Sequence, residues 1–187
     1  MLIKLYHGTN VQNAKRILKE GLKDRIKSKR KNWEGDVESQ SEFVYLTRAY
    51  PFYYAMNAAK SGNEASVLLV EVDTKDLYPD EDFLKQSGLK GQVVDIRNYK
   101  RYASMSLEKL GNVAIRPSKI KQIIGHKSFE IDKMIMYSDP SMNVLNYKIL
   151  GDYYRKLTDT WWNNGDWEKI NIRNTLVKKS KKYNTFI

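Results

Sequence analysis

Two histidines are the first candidates for chemistry in this chain of 187 residues, which contains no cysteine. His7 follows the alternating run LIKLY and precedes Gly8 and Thr9. A histidine at a strand end can bind a ligand, but more often it only makes local hydrogen bonds. His126 follows Gly125 in IIGHKSF, which predicts a turn. The histidines alone therefore do not define a site.

Motifs of several common active sites are missing. The chain has no G-x-G-x-x-G loop, no G-x-x-x-x-G-K-[ST] loop and no H-E-x-x-H. It also has no G-x-S-x-G elbow. Because zinc is commonly held by cysteine and clustered histidine, we expect no metal site.

The residues around His7 predict a strand followed by a helix. Leu2–His7 alternates as a half-buried strand does. Asn10 can cap the next helix, which is apolar on one face and ends at Gly21. Further strands are predicted at Glu42–Thr47 and Ser66–Asp73.

The later segments mix short helices and strands. A helix with Pro51 in its first turn follows the second strand, and another is predicted from about Ser104 to Leu110. TKDLYPDEDFLKQSG predicts a turn and a short helix, and NVAIRPSKIKQIIGHKSFEID two strands about a proline turn. Residues 1–139 are therefore predicted to form an α+β domain, with residues 140–187 as a helical, basic extension packed on it.

The charge points to an anionic partner. Lys and Arg number 33 against 22 acidic residues, a net charge of +11. Such a field attracts nucleic acid over a Debye length of about 8 Å, although a solvated lysine-rich surface explains it equally well. The sequence contains no run of eighteen apolar residues, so we predict no membrane span. The strand pattern at the start predicts no signal peptide. With the absence of cysteine, this favours a cytoplasmic protein.

Three segments in order carry a family resemblance: LYHGTN with AKRILKEGL, then VYLTRAYPFYYAMNAA, then VLLVEVD followed by NVAIRPSKIKQII. Together they resemble the ADP-ribosyltransferase superfamily, in its His-Tyr-x branch. That branch includes the poly-ADP-ribose polymerases, the DarT-type toxins and the RNA 2′-phosphotransferases. The resemblance covers roughly residues 2–130 and implies a split β-sandwich with flanking helices, whose cleft binds NAD⁺ as substrate.

The resemblance also implies roles for individual residues. His7 would hydrogen-bond a ribose hydroxyl, and the backbone of Gly8, beside Thr9, would reach the nicotinamide carboxamide. Tyr45 and Tyr54 would stack on the nicotinamide ring, which is cationic in NAD⁺ and suits a tyrosine face. Taken singly, each tyrosine fits core packing better than ligand binding.

One position departs from the family pattern. Many members begin a late strand with a glutamate that binds the ribose 2′-hydroxyl, and here that position falls on Asn112. An amide can bond a hydroxyl but cannot act as a base or offset positive charge. Three interpretations stay open: weak or altered catalysis, a carboxylate from Glu108 instead, or a different register. A phosphotransferase would use arginines, for which Arg48 and Arg116 are candidates.

The acceptor is predicted from a second feature, the basic run Lys23–Lys31, which borders the cleft in the resemblance. Cations can meet phosphates, and an aromatic ring can stack on a base for about 1–3 kcal/mol. The nucleic-acid-binding candidates are Lys27, Lys29, Arg30, Lys31 and Trp33, although a solvated loop is an equal alternative.

Three functions follow. The first is an NAD-dependent ADP-ribosyltransferase that modifies a macromolecule, either nucleic acid or protein. The second is an RNA 2′-phosphotransferase-like enzyme, and the third a non-catalytic binding module on the same fold. By family analogy alone, such enzymes serve as bacterial toxins or phage host-takeover factors.

Overall fold

The computed structural model describes residues 1–25, 39–59, 64–88, 95–130 and 152–164, which contain six strands and five helices. The strands are β1 (Leu2–Asn10), β2 (Val44–Thr47), β3 (Glu64–Asp73), β4 (Leu77–Pro79), β5 (Asn112–Ile115) and β6 (Ile120–Glu130). The helices are α1 (Val11–Glu20), α2 (Pro51–Ala58), α3 (Glu81–Gln86), α4 (Ala103–Lys109) and α5 (Asp152–Asn164). Three 3₁₀ turns lie at Thr74–Asp76, Ile96–Tyr102 and Pro117–Lys119. The predicted α+β class is confirmed.

The start of α1 forms as predicted, whereas the end of β1 does not. The Asn10 side chain accepts a hydrogen bond from the Asn13 backbone N–H at 2.8 Å, and α1 ends at Gly21, where φ is 78°. However, β1 continues to Asn10, so His7 lies within the strand and not at its end. Its neighbours Gly8 and Thr9 pair with Val67 and Ser66 of β3, which holds them extended.

All the strand pairs of the sheet are antiparallel, in the order β4-β5-β2-β1-β3-β6. Most neighbours pair along several residues, but β1 and β2 share one register pair, Tyr6 with Thr47. The sheet therefore consists of two three-stranded halves that are joined at a narrow junction.

The short connection from β3 to β4 shows that the sheet is not flat. Four strand spacings separate the two strands in the sheet order, which would place them about 19 Å apart in a flat sheet. Only Thr74–Asp76 connects them, and four chain steps reach at most about 14 Å. The two halves must therefore bend toward each other, and the narrow β1–β2 junction is where the pairing is weakest.

Buried apolar side chains fill both faces of the sheet. One core cluster has buried or partly buried members on all six strands and on α4: Ile3, Leu5, Val44, Leu46, Val70, Val72, Leu77, Ala103, Leu107, Val113, Ile115, Ile120 and Ile123. A second cluster, which we call the aromatic cluster, joins α2 and α5 to β1, β3 and β6. Its aromatic members include Tyr6, Tyr50, Phe52, Phe129 and Trp161.

Helix α5 belongs to this domain by its contacts. Trp161 is 1% exposed and stacks edge-on against Phe52 at 5.0 Å between ring centroids. The Tyr6 hydroxyl donates to Asp159 at 2.8 Å, which ties α5 to β1. The predicted boundary at residue 139 and most of residues 140–187 lie outside the described residues. Among those described, no helix is both long and apolar enough to cross a membrane.

Candidate functional site

His7 lies at the β1–β2 junction, one residue beyond the Tyr6–Thr47 pair. Its Nδ1 is 3.0 Å from the backbone oxygen of Tyr45. Because a carbonyl oxygen can only accept, Nδ1 carries the proton and donates. Burial, and to a smaller extent the charge of Arg25, lowers the pKa of His7, so the ring is neutral at pH 7. Its Nε2 is then an acceptor, as a ligand hydroxyl requires.

Tyr45 lies on β2 and is fixed at its hydroxyl. That hydroxyl donates to Glu81 Oε1 at 2.5 Å and accepts from the Gln40 backbone N–H at 2.9 Å. Burial and the charge of Glu81 raise the pKa of the Tyr45 phenol, so it keeps its proton. The ring packs against a core cluster that contains Phe43 and Ala114.

Tyr54 and Asn112 form a second buried pair. Asn112 Nδ2 donates to the Tyr54 hydroxyl at 2.7 Å, and the Asn112 side chain is 1% exposed. Burial raises the pKa of the Tyr54 phenol, with smaller contributions from Asp80 and Asp82. Asn112 also pairs with Thr47 along the β2–β5 ladder. Asn112, where the family resemblance led us to expect a glutamate, is therefore hydrogen-bonded directly to Tyr54.

Buried hydroxyls connect these elements to one another. Ser106 Oγ donates to the Asn112 backbone oxygen at 2.7 Å and accepts from the Asp80 N–H at 3.0 Å. Thr47 Oγ1 donates to the Gly111 oxygen and accepts from the Tyr50 N–H at 3.0 Å. These bonds fix β5 against the start of α3, and β2 against the start of α2.

Gly8 is needed for a reason that the sequence does not show. A Cβ added there would overlap the Pro51 backbone oxygen and would lie 2.5 Å from the Ala55 N. Helix α2 thus packs against β1 closely enough to exclude any side chain at Gly8. This contact brings Tyr54 next to β1.

The chain was also compared with known proteins. No family model and no curated protein matches it. The site must therefore be interpreted from its own geometry.

The structure places four predicted residues in two hydrogen-bonded pairs, His7 with Tyr45 and Tyr54 with Asn112, and the β2–β5 ladder connects the two pairs. Thr9 is buried beside them in β1. Glu108 instead lies on α4 with its side chain 66% exposed, 3.4 Å from Lys109 Nζ. That exposure places its carboxylate in solvent, away from the buried polar network. Arg116 is exposed, with its guanidinium 5.9 Å from the centre of the Phe43 ring.

Two other predictions have different outcomes. His126 was predicted to lie in a turn, which is wrong: it lies within β6, paired with Leu68 of β3, and is exposed. Strand pairing with β3 keeps this region extended despite Gly125. The nucleic-acid-binding candidates Lys27, Lys29, Arg30, Lys31 and Trp33 lie outside the described residues.

Sequence analysis missed three consecutive acids at the start of α3. Asp80 and Glu81 are 7% and 4% exposed, and Asp82 follows them. Burial, with the neighbouring acids, raises the pKa of Asp80 and of Glu81. The run PDED carries no signal of this burial, because acidic residues are normally exposed unless they are hydrogen-bonded. Among the described residues, no three acidic or histidine side chains are grouped to hold a metal.

The first prediction concerns Asp80, whose oxygen caps α3 by accepting from the Asp82 N–H at 2.8 Å. Because its folded pKa is raised, ionisation of Asp80 costs stability, and this cost is absent at low pH and grows as pH rises above about 4. Asp80→Asn keeps a good cap. We expect it to raise the urea midpoint at pH 7, with the gain fading toward pH 4.

Asp95→Asn is the matched control. Asp95 also accepts from the N–H two residues on, at 3.0 Å, but Arg97 lowers its pKa. Its ionisation therefore contributes stability above about pH 4, and the substitution should not stabilise the protein at pH 7. Equal destabilisation by Asp80→Asn at both pH values would contradict the prediction.

Proposed function

We propose that the protein is an NAD-dependent ADP-ribosyltransferase that modifies a macromolecule, with nucleic acid as the favoured acceptor. The observation that carries this proposal is the position of neutral His7 at the bend between the two halves of the sheet, bonded to Tyr45. The bent sheet supports the split β-sandwich that the family resemblance implies. The net charge of +11 supports a polyanionic acceptor.

In this proposal, His7 Nε2 accepts a hydrogen bond from a ribose hydroxyl of NAD⁺. The rings of Tyr45 and Tyr54 contact the nicotinamide, whose positive charge favours an aromatic face. The bond from ribose C1′ to nicotinamide breaks, and nicotinamide leaves with the electron pair. An acceptor oxygen or nitrogen then bonds to C1′ and loses its proton. The residues bind and orient, so catalysis depends mainly on positioning.

With Asn112 in place of a glutamate, we expect a low rate of reaction at this site. Its amide already donates to Tyr54 and carries no charge to offset an oxocarbenium-like transition state. We therefore expect slow turnover with ordinary NAD⁺ binding. An arginine-dependent phosphotransferase is the second candidate: Arg48 directly follows β2 and is half-buried, whereas Arg116 is exposed beside Phe43.

The test is incubation with labelled NAD⁺ and total cell lysate. Label in DNA or RNA, or in protein, identifies both the reaction and the acceptor. His7→Ala should lower turnover about tenfold or more, because the variant loses a hydrogen bond to substrate. His126→Ala is the matched control, since that ring is exposed on β6, and it should behave as wild type.

Two results would contradict the proposal. One is the absence of NAD⁺ binding in calorimetry at millimolar ligand. The other is unchanged turnover in His7→Ala. Salt-sensitive nucleic-acid binding that persists in His7→Ala, without NAD⁺ binding, would instead favour a non-catalytic module.

A further inference from the structure

Each of the two site tyrosines has its hydroxyl bonded to a buried polar side chain of another element. Tyr54 of α2 meets Asn112 of β5, and Tyr45 of β2 meets Glu81 of α3. A buried tyrosine hydroxyl needs a hydrogen-bond partner, and each of these two finds it in a side chain of another element. The two hydrogen bonds fix the hydroxyl end of each ring.

The Glu81 contact is the more unusual, because it places a carboxylate in the protein interior. Glu81 Oε1 accepts from the Tyr45 hydroxyl at 2.5 Å and from the Gln40 backbone N–H at 3.2 Å. The same N–H is 2.9 Å from the Tyr45 hydroxyl. Three groups from three segments thus bond one another. Burying a carboxyl group is costly unless such bonds compensate it.

We propose that Glu81 is a positioning residue that holds the Tyr45 ring for the substrate. The inference rests on the proposed function, because its main measurement is the KM for NAD⁺. It adds one residue of α3 to the site. Glu81 acts through Tyr45, since it is buried and accepts a hydrogen bond from that hydroxyl. Asn112 is likewise buried and hydrogen-bonded to the Tyr54 hydroxyl.

The experiment compares wild type with Glu81→Ala, Tyr45→Phe and the double variant. We expect Glu81→Ala to raise the KM for NAD⁺ about tenfold with a smaller change in kcat, because a mobile ring weakens binding. In the Tyr45→Phe background, the same substitution should add little, because the hydroxyl is already gone. Glu81→Gln retains an acceptor oxygen and should restore most of the affinity.

Glu20→Ala is the matched control, because Glu20 is exposed on α1 and pairs with Lys23. It should leave KM unchanged. An unchanged KM in Glu81→Ala would overturn the inference. So would an equal rise in KM on substitution of Glu81 in the wild-type and Tyr45→Phe backgrounds, which indicates a merely structural role.

A second measurement separates this inference from the proposed function. The urea midpoints of the same four proteins give the coupling between Tyr45 and Glu81 without any substrate. If wild type does not use NAD⁺, the proposed function is wrong, and coupling in stability still supports the fixed ring. If the midpoints are additive, the inference fails whatever the activity.

Discussion

Gly8→Ala is expected to lower the free energy of unfolding by about 3 kcal/mol, near the upper end of the usual cost of overpacking. The new Cβ would overlap the Pro51 backbone oxygen and would lie 2.5 Å from the Ala55 N and 2.9 Å from Tyr54 Cβ. Backbone atoms cannot rotate away as a flexible side chain can. The strand or α2 must therefore move, and Tyr54 would move with the helix.

The measurement is urea unfolding followed by circular dichroism, with Gly125→Ala as the control. Gly125 is also in a strand, but its added Cβ would lie 3.7 Å from the Trp162 ring, an ordinary contact. That variant should lose far less stability. Similar losses in the two variants would show that α2 does not pack on β1 as described.

Trp161→Ala is the second large effect, with an expected loss of about 3–5 kcal/mol. The side chain is 1% exposed and stacks edge-on with Phe52 at 5.0 Å and Phe129 at 6.2 Å. Its removal leaves a cavity between α5, α2 and β6. Thermal or urea unfolding of the variant tests whether α5 is integral to the domain.

Its neighbour supplies the comparison. Trp162 is only partly buried and contacts Tyr6 at 5.8 Å between ring centroids. Trp162→Ala should therefore cost clearly less than Trp161→Ala. An unchanged stability for Trp161→Ala would mean that α5 does not cover the aromatic cluster in solution.

Local pattern was sufficient for much of the secondary structure. Alternation predicted the start of β1, and Asn10 marked the cap of α1. The end of β1 was wrong because His-Gly-Thr has the composition of a turn. The close approach of Pro51 to Gly8 depends on a residue more than forty positions away, which local pattern cannot show. His126 was misplaced for the same reason: pairing with β3 overrides the local effect of glycine.

The roles of the candidate site residues stay predictions, although their contacts are now known. The resemblance identified Tyr45, Tyr54 and Asn112, and the structure shows what each side chain contacts. Glu81 was missed because a charged residue in a short helix is normally exposed. Its burial depends on the contact of α3 with Tyr45 of β2, and β4, the three-residue strand before α3, is too short to be recognised from its sequence. The sheet order likewise depends on distant contacts.

The bond between Tyr6 and Asp159 has a consequence for biosynthesis. It joins residues 153 positions apart, and a ribosome adds about 5–20 residues each second. The aromatic cluster therefore stays incomplete for roughly 8–30 s after β1 has been made. During that interval β1, and β3 once it has been made, present apolar surface to chaperones or to other nascent chains. We expect a chain that stops before α5 to bind general chaperones and to be degraded, whatever the arrangement of His7 and Tyr45.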